Sequence, residues 1–252
     1  MSDFEVRDVG RMAYGGAYEL QKQLEARRKL GEIPDQLLIV EHPHVITLGR
    51  NGHMQNLLAR PEVLERAGIS FYPTDRGGDI TYHGPGQIVG YPIFDLREWK
   101  RDVVAYVRAV EQAIIDALAA FGIRGDRVAG ATGVWIDGAK IAAIGVHISR
   151  WVTSHGFALN HSTDLSYFQY IVPCGLTKPV TSMEKLGVRV PREEVVAELV
   201  RQVRGQFRAS AQDEPAAVLN GPSPGAEASV VRGSGEGGAA SQTAIQEVIT
   251  HG

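Results

Sequence analysis

Residues 133–148 read GVWIDGAKIAAIGVHI, and this stretch decides the fold class. Two apolar, β-branched runs, 133–136 and 140–148, flank Asp137-Gly138, a dipeptide suited to a type I′ turn because both central residues need positive φ. The spacing therefore predicts an antiparallel hairpin. Further strands are expected C-terminal to it at 156–160 and N-terminal to it at 36–41, 45–48, 70–72, 79–82 and 87–93, set apart by Gly and Pro. The turn between 36–41 and 45–48 is His42-Pro43-His44.

Helical spacing marks four other segments. Ala17, Leu20 and Leu24 share one face of a helix over 13–30. Pro61 opens a short helix over 61–67, at a position where its missing N–H costs little. Residues 102–121 carry an apolar stripe of Val103, Val107, Val110, Ile114, Leu118 and Phe121, stopped by Gly122. Residues 192–207 place Val195, Val196, Leu199 and Val203 on one side. Thr181 to Glu184 has capping-box spacing, which predicts a short helix there. Strands and helices are mixed without strict βαβ alternation and without an internal repeat, so the class is α+β. Beyond residue 210, stretches such as GPSPGAEAS bury too little apolar surface to offset the entropy of ordering them. Residues 1–210 are therefore read as the folded domain and 211–252 as a Gly/Ser/Ala-rich tail.

Composition narrows the functional classes. A 252-residue chain with 44% hydrophobic and 22% charged residues is that of an ordinary globular protein. A net charge of −3 argues against a nucleic-acid surface. No apolar run approaches the roughly 20 residues of a membrane-spanning helix. The first residues show no secretory pattern, and the lone cysteine cannot form an intrachain disulfide, so a cytoplasmic location is expected. Eight histidines are present, but neither Cys-x-x-Cys nor His-Glu-x-x-His spacing occurs, and no metal site is expected.

Four segments combine glycine with reactive side chains. The first is RGGDITYHGPGQ (76–87), either a glycine-rich turn with solvated polar residues or a loop that brings main chain close to a ligand. The second holds Lys140 just after the hairpin turn. Its amine either snorkels to water or points into a pocket, where desolvation favours the neutral base. The third is SHGFALN (154–160) running into His161, with His155 and His161 as candidate acid/base groups that are more often structural. The fourth is IVPCGL (171–176). A free cysteine is usually a small inert hydrophobe, but Pro173 and Gly175 around Cys174 argue against a plain core position. A thiol acts as a nucleophile only as thiolate and needs a neighbouring base, for which Lys140 is a candidate.

Together with EHPHVITLGR (41–50), RGGDITYHGPGQIVGYPIFDL (76–96), GVWIDGAKIAAIGVHISRWVTSHGFALN (133–160), TDLSYFQYIVPCGL (163–176) and TSMEKLG (181–187), these segments resemble the lipoyl(octanoyl) transferase family of the biotin/lipoate protein ligase superfamily. The resemblance covers about residues 5–208. It implies a ligase-like catalytic domain with largely antiparallel mixed sheets and flanking helices. It also implies transfer of an octanoyl or lipoyl group from acyl carrier protein to a lysine of lipoyl domains. The expected acceptors are the lipoyl domains of 2-oxoacid dehydrogenase complexes and the glycine cleavage H protein. Cys174 corresponds to the family's nucleophile and Lys140 to its partner. The acyl-binding segments map to Arg76, Gly77, Gly78, Asp79, Ile80, Thr81, Tyr82 and His83, to Ala143, Ile144 and Gly145, and to Gly156, Phe157 and Ala158.

A thioester donor is already activated, so no cofactor is expected. Backbone N–H groups at Gly175 or Leu176, or on a facing glycine segment, are candidate oxyanion donors. Ile144, Val146, Phe157 and Leu159 are candidate walls for the acyl chain. His161 departs from the family pattern, in which a small apolar or β-branched residue is expected. Two competing readings remain: an ATP-dependent lipoate or biotin ligase on the same fold, and a non-catalytic module that holds a carrier domain.

Overall fold

The computed structural model describes residues 3–172 and 178–208, all within one compact unit, Met1–Ala211. Cys174, Gly175 and Leu176, and the segment read as a tail, lie outside the described residues. In chain order the elements are β1 (Glu5–Arg11), α1 (Tyr14–Lys29), β2 (Gln36–Glu41), β3 (Val45–Leu48), α2 (Pro61–Arg66), β4 (Ser70–Pro73), β5 (Ile80–His83), β6 (Gln87–Ile93), α3 (Val103–Ala119), β7 (Asp126–Val128), β8 (Ala131–Ile136), β9 (Ala139–Ser149), β10 (Val152–Asn160) and α4 (Arg192–Phe207). Short 3₁₀ turns occupy Met54–Asn56, Leu96–Glu98 and Leu165–Tyr170.

Seven strands form the main sheet in the order β1-β2-β6-β10-β9-β8-β7, and β4-β3-β5 form a smaller one. Only β1–β2 and β3–β4 pair in parallel; the other named pairs are antiparallel. Period-two alternation sorts the main sheet's side chains between two cores. Leu37, Ile39, Ile88 and Leu159 join Ile114, Leu118, Leu199 and Val203 under α3 and α4. Leu38, Val40, Val89 and Ile93 face Ala17 and Leu24 of α1. With both faces covered, β2 and β6 read as nearly continuous apolar runs rather than alternating ones. Ile46, Ile80 and Tyr82 of the small sheet pack on Leu64 of α2 and on Ile171 in a third cluster.

The hairpin forms at Asp137-Gly138 with φ of 45° and 80°, and Ile136 pairs with Ala139. In α3 the Asp102 carboxylate caps the helix by accepting from the Ala105 N–H at 2.9 Å. At one point the pattern misled. Thr181–Glu184 does not open a helix; it leads into a single turn, in which the Ser182 hydroxyl accepts from the Lys185 N–H and the Leu186 N–H reaches the Ser182 carbonyl. Gly187, at φ 85°, ends that turn before a second can form.

Candidate active site

The loop before β5 is stapled to the main sheet. The Gly77 N–H donates to the Val146 carbonyl of β9 at 2.8 Å, and the Arg50 N–H donates to the Arg76 carbonyl at 2.9 Å. Gly49 allows this approach, since a Cβ there would collide with the Gly78 carbonyl. Arg76 is buried; its Nη2 donates to the Thr47 carbonyl and hydroxyl, both at 2.9 Å, and its Nη1 to the Gly77 carbonyl at 3.0 Å. The Asp79 carboxylate accepts from the Ile80 and His53 backbone N–H groups and from the Asn56 side-chain amide. These bonds hold the loop over the paired centres of β9 and β10, where Ala143 faces Ala158, Ile144 faces Phe157 and Gly145 faces Gly156.

One cleft results. It is lined by Arg76, Gly78, Asp79, Ile80, Thr81 and His83, by Ala143, Ile144 and Gly145, by Gly156, Phe157 and Ala158, and by Lys140. Tyr14, Val89, Tyr91 and His155 complete the lining. Of the acyl-binding residues expected from sequence, Gly77 and Tyr82 do not line it. Gly77 makes the staple to Val146, and Tyr82 alternates to the far side of β5, where its hydroxyl bonds His44 Nδ1 at 2.8 Å and its ring stacks on Tyr167. Of the four residues expected to wall an acyl chain, Ile144 and Phe157 line the cleft. Val146 and Leu159 instead pack into the core under α3 and α4.

Lys140 is 9% exposed, and its Nζ lies 4.7 Å from the centroid of the Trp135 ring, which also has Lys178 Nζ at 4.9 Å. Its backbone is held by the chain that follows residues 173–177: the Lys140 N–H donates to the Pro179 carbonyl at 2.8 Å and the Thr181 N–H to the Lys140 carbonyl at 3.0 Å. On the near side of the same gap, the Val172 N–H donates to the Asn56 carbonyl at 2.8 Å, and Asn56 is the residue that bonds Asp79. Both ends of the chain around Cys174 are therefore tied to residues that line the cleft or bond directly to its wall.

The imidazoles around the cleft are shaped by burial. His83 is pushed down to about 3, chiefly by desolvation and next by His42, so at neutral pH it is an uncharged ring whose Nδ1 bonds Gln87 Oε1 at 2.8 Å. His155 sits at φ 56° in mid-strand, a strained position for a non-glycine residue. Its N–H donates to Gln21 Oε1 at 2.8 Å, and its Nε2 bonds the Asp75 carboxylate at 2.8 Å. The hydrogen bond from His155 is the largest influence holding the Asp75 carboxyl well below the usual carboxylate range, and one from the Tyr18 hydroxyl adds to it. His161 stays off the cleft and bonds the Val190 carbonyl through Nε2 at 2.8 Å. Among the described residues no group of three His, Cys, Asp or Glu could hold a metal ion, and no helix is long and apolar enough to cross a membrane.

Tyr14, Val89 and Tyr91 are lining residues that no sequence motif marked, whereas His155, a candidate acid/base group from sequence, does line the cleft. Tyr14 and Tyr91 carry no local signal, since one lies on a helix and the other in an apolar strand. His155 looked isolated because its partner, Asp75, is 80 residues away.

The family model for the lipoyl protein ligase A/B catalytic domain matches residues 14–204. An octanoyltransferase from Solibacter usitatus is 70% identical over 190 residues, covering 75% of this chain and 86% of the relative. One from Koribacter versatilis is 52% identical over 204 residues, 78% of this chain and 81% of the relative. Among solved structures, lipoate-protein ligase A bound with ATP superposes with a TM-score of 0.65 at 15% identity, covering 82% and 87% of the two chains. The bipartite lipoate protein ligase of Thermoplasma acidophilum superposes with a TM-score of 0.65 at 16% identity, covering 82% and 87%. At such identities these structures speak for the fold alone, which is that of the lipoate ligases. The long high-identity matches settle the rest: the chain belongs to the octanoyltransferase family, within the lipoyl protein ligase A/B catalytic domain.

Proposed function

We propose that this octanoyltransferase takes its acyl group from octanoyl-acyl carrier protein, holds it as a thioester on Cys174, and delivers it to a lysine of a lipoyl domain, with Lys140 as the acid/base group. The observation that carries the reading is the convergence of Lys140 with Arg76, 78–81, His83, 143–145 and 156–158 on one cleft whose apolar lining includes Ile80, Val89, Ile144 and Phe157. An eight-carbon chain suits such a lining, because each methylene taken out of water contributes about 0.8 kcal/mol.

In the first half-reaction Lys140 takes the proton of the Cys174 thiol. The thiolate attacks the thioester carbonyl, the tetrahedral oxyanion collapses, and the carrier's thiolate leaves with the proton returned by Lys140. In the second, the neutral acceptor amine attacks the acyl-enzyme. Cys174 leaves as thiolate, and Lys140 accepts the amine's proton as the amide forms. The bond broken in each half-reaction is a thioester, so the scheme consumes no ATP. Backbone N–H groups at Gly175 or Leu176, or on a facing glycine segment, are the proposed oxyanion donors, and catalysis is assigned to residues 1–210. Lipoyl domains of 2-oxoacid dehydrogenase complexes and the glycine cleavage H protein are the proposed acceptors, and the cytoplasm the proposed location.

The competing ligase reading draws on a fold shared with an ATP-bound lipoate-protein ligase. Against it stand relatives at 44–70% identity that are named octanoyltransferases. Incubation of the protein with an unmodified lipoyl domain and either octanoyl-acyl carrier protein or free octanoate, each with and without ATP, separates the two. Octanoyl-lysine formed from octanoyl-acyl carrier protein at equal rates with and without ATP supports the transferase; modification from free octanoate that requires ATP supports the ligase.

A further inference from the structure

The β9–β10 ladder runs from Ser149/Val152 to Ala142/Leu159 and then stops, two residues short of Lys140. Beyond that point the chain 179–183 enters between the two strands. On one side it pairs with Lys140, through the Pro179 carbonyl and the Thr181 N–H. On the other it pairs with Asn160, the last residue of β10: the Met183 N–H donates to the Asn160 carbonyl at 3.0 Å, and Asn160 Nδ2 donates to the Thr181 carbonyl at 3.0 Å. The Asn160 side chain is in turn held by its cross-strand neighbour, since Gln87 Nε2 donates to Asn160 Oδ1 at 2.9 Å and Gln87 Oε1 meets His83 Nδ1 at 2.8 Å. Gln87, Asn160 and Thr181 are all at least 96% buried.

Two amides buried at the end of apolar strands need a reason. A hydrophobic pair would satisfy packing without the desolvation that these groups carry. What the amides add is direction. They link the cleft wall at His83 to the peptide that fixes Lys140, and both border a small cavity that shares Lys140, Thr81, Ala143 and Ala158 with the cleft.

Resting on the acid/base reading of Lys140, we infer that Asn160, braced by Gln87, is a positioning residue: it fixes the Thr181 peptide and so sets the position of Lys140 at the cleft. The required geometry is narrow, because a misplacement of about 1 Å in a catalytic group lowers rates by about 100-fold.

The test is a double-mutant cycle in the full-length chain, reading the rate of octanoyl adduct formation from octanoyl-acyl carrier protein, with Tm measured alongside. Asn160→Asp keeps the size of the side chain and the acceptor for Gln87, but sets an oxygen against the Thr181 carbonyl. In the otherwise wild-type chain the rate is expected to fall by about 100-fold. In a Lys140→Ala chain the same substitution is expected to change the rate by no more than about two-fold, because the two residues act as one unit. An equal loss in both chains, or no loss in the first, overturns the inference. A Lys140→Ala chain that reacts at the wild-type rate overturns the acid/base reading itself, a distinct result. If Asn160→Asp does not fold, Gln87→Met removes the brace while leaving the Asn160 contact to Thr181, and the same dependence on Lys140 is required of it.

Discussion

Lys140 and Trp135 face each other across the β8–β9 hairpin, with the lysine Nζ 4.7 Å from the indole centroid. The pairing continues the Ile136–Ala139 register set by the turn, with a register shift only beyond it, between Trp135 and Val134, and the indole N–H donates to the Ala131 carbonyl at 3.1 Å. The ring is thus a rigid platform for the amine, and cation–π attraction of this kind contributes about 2 kcal/mol or more when desolvated. Trp135→Leu should lower stability by about 3 kcal/mol through the cavity alone and slow octanoyl transfer. Trp135→Phe, which keeps an aromatic face, should retain most of the rate. Equal rates in the two variants, corrected for the folded fraction by denaturant titration, would remove the platform role.

Gly156 sits against the neighbouring strand so closely that a Cβ would collide with the Gly90 carbonyl and come within 2.6 Å of Pro92 Cδ. Gly156→Ala should therefore destabilise the protein by about 2 kcal/mol and impair transfer by shifting β10 at the cleft floor. Gly138→Ala, at a turn glycine with open space around it, should lower stability by about 1 kcal/mol and leave transfer unchanged. Unfolding curves and steady-state rates for the pair check both.

Protons should destabilise the fold below neutrality. In the unfolded chain His83 takes a proton below about pH 6.5, whereas the folded protein withholds it until about 3. The unfolded state then binds the extra proton, and stability falls as pH drops through that window. His83 alone should account for about 2 kcal/mol between pH 7.5 and pH 5; burial depresses His42 and His155 in the same direction. Denaturant midpoints of wild type and His83→Gln over this range should differ in slope, the variant being the flatter. Parallel slopes would contradict the assignment.

Arg28 joins α1 to the main sheet through a buried ion cluster. Its Nε donates to Asp35 Oδ1 at 2.8 Å and its Nη2 to Glu98 at 2.6 Å, while the Asp95 N–H shares Asp35 Oδ1. Removing the cation strands Asp35, which is fully buried. Arg28→Ala should destabilise the protein by about 3 kcal/mol or more, with octanoyl transfer per folded molecule unchanged because no member of the cluster lines the cleft. Thermal unfolding and specific activity separate the two effects.

The strands carried by strong local chemistry could be read directly from the chain. Gln36–Glu41, Val45–Leu48 and Gln87–Ile93 are bounded by Pro and Gly and buried on both faces, and they stand where the pattern places them. Asp137-Gly138 makes the expected turn. By contrast β1, whose sequence is EVRDVGR, is an edge strand with charged residues facing water, and its parallel partner begins 31 residues later in register, Glu5 pairing with Gln36, so no local pattern marks it. The start of β10 was hidden because Arg150 and Trp151, both at positive φ, make a turn without the glycine that normally announces one. Thr181–Glu184 carries helix-start chemistry, but its backbone is committed to Lys140 and Asn160, and pairing won over local preference.

For the cleft, motifs supplied Lys140 and the glycine-bearing segments because backbone approach to a ligand demands glycine locally. Tyr14, Tyr91 and His155 reach it through tertiary packing, and the Asn160–Thr181 link exists only because two strands part to admit a third segment. Neither relation leaves a trace in local spacing.

The central claim is that Cys174 carries the acyl group. The most direct measurement is the intact mass of the full-length protein after incubation with octanoyl-acyl carrier protein in the absence of ATP. The account predicts one octanoyl adduct, mapped to Cys174, released by the acceptor lipoyl domain, formed more slowly by Lys140→Ala and absent from Cys174→Ala. A wild-type protein that forms no adduct while still transferring octanoyl groups, or an adduct that persists in Cys174→Ala, would contradict it.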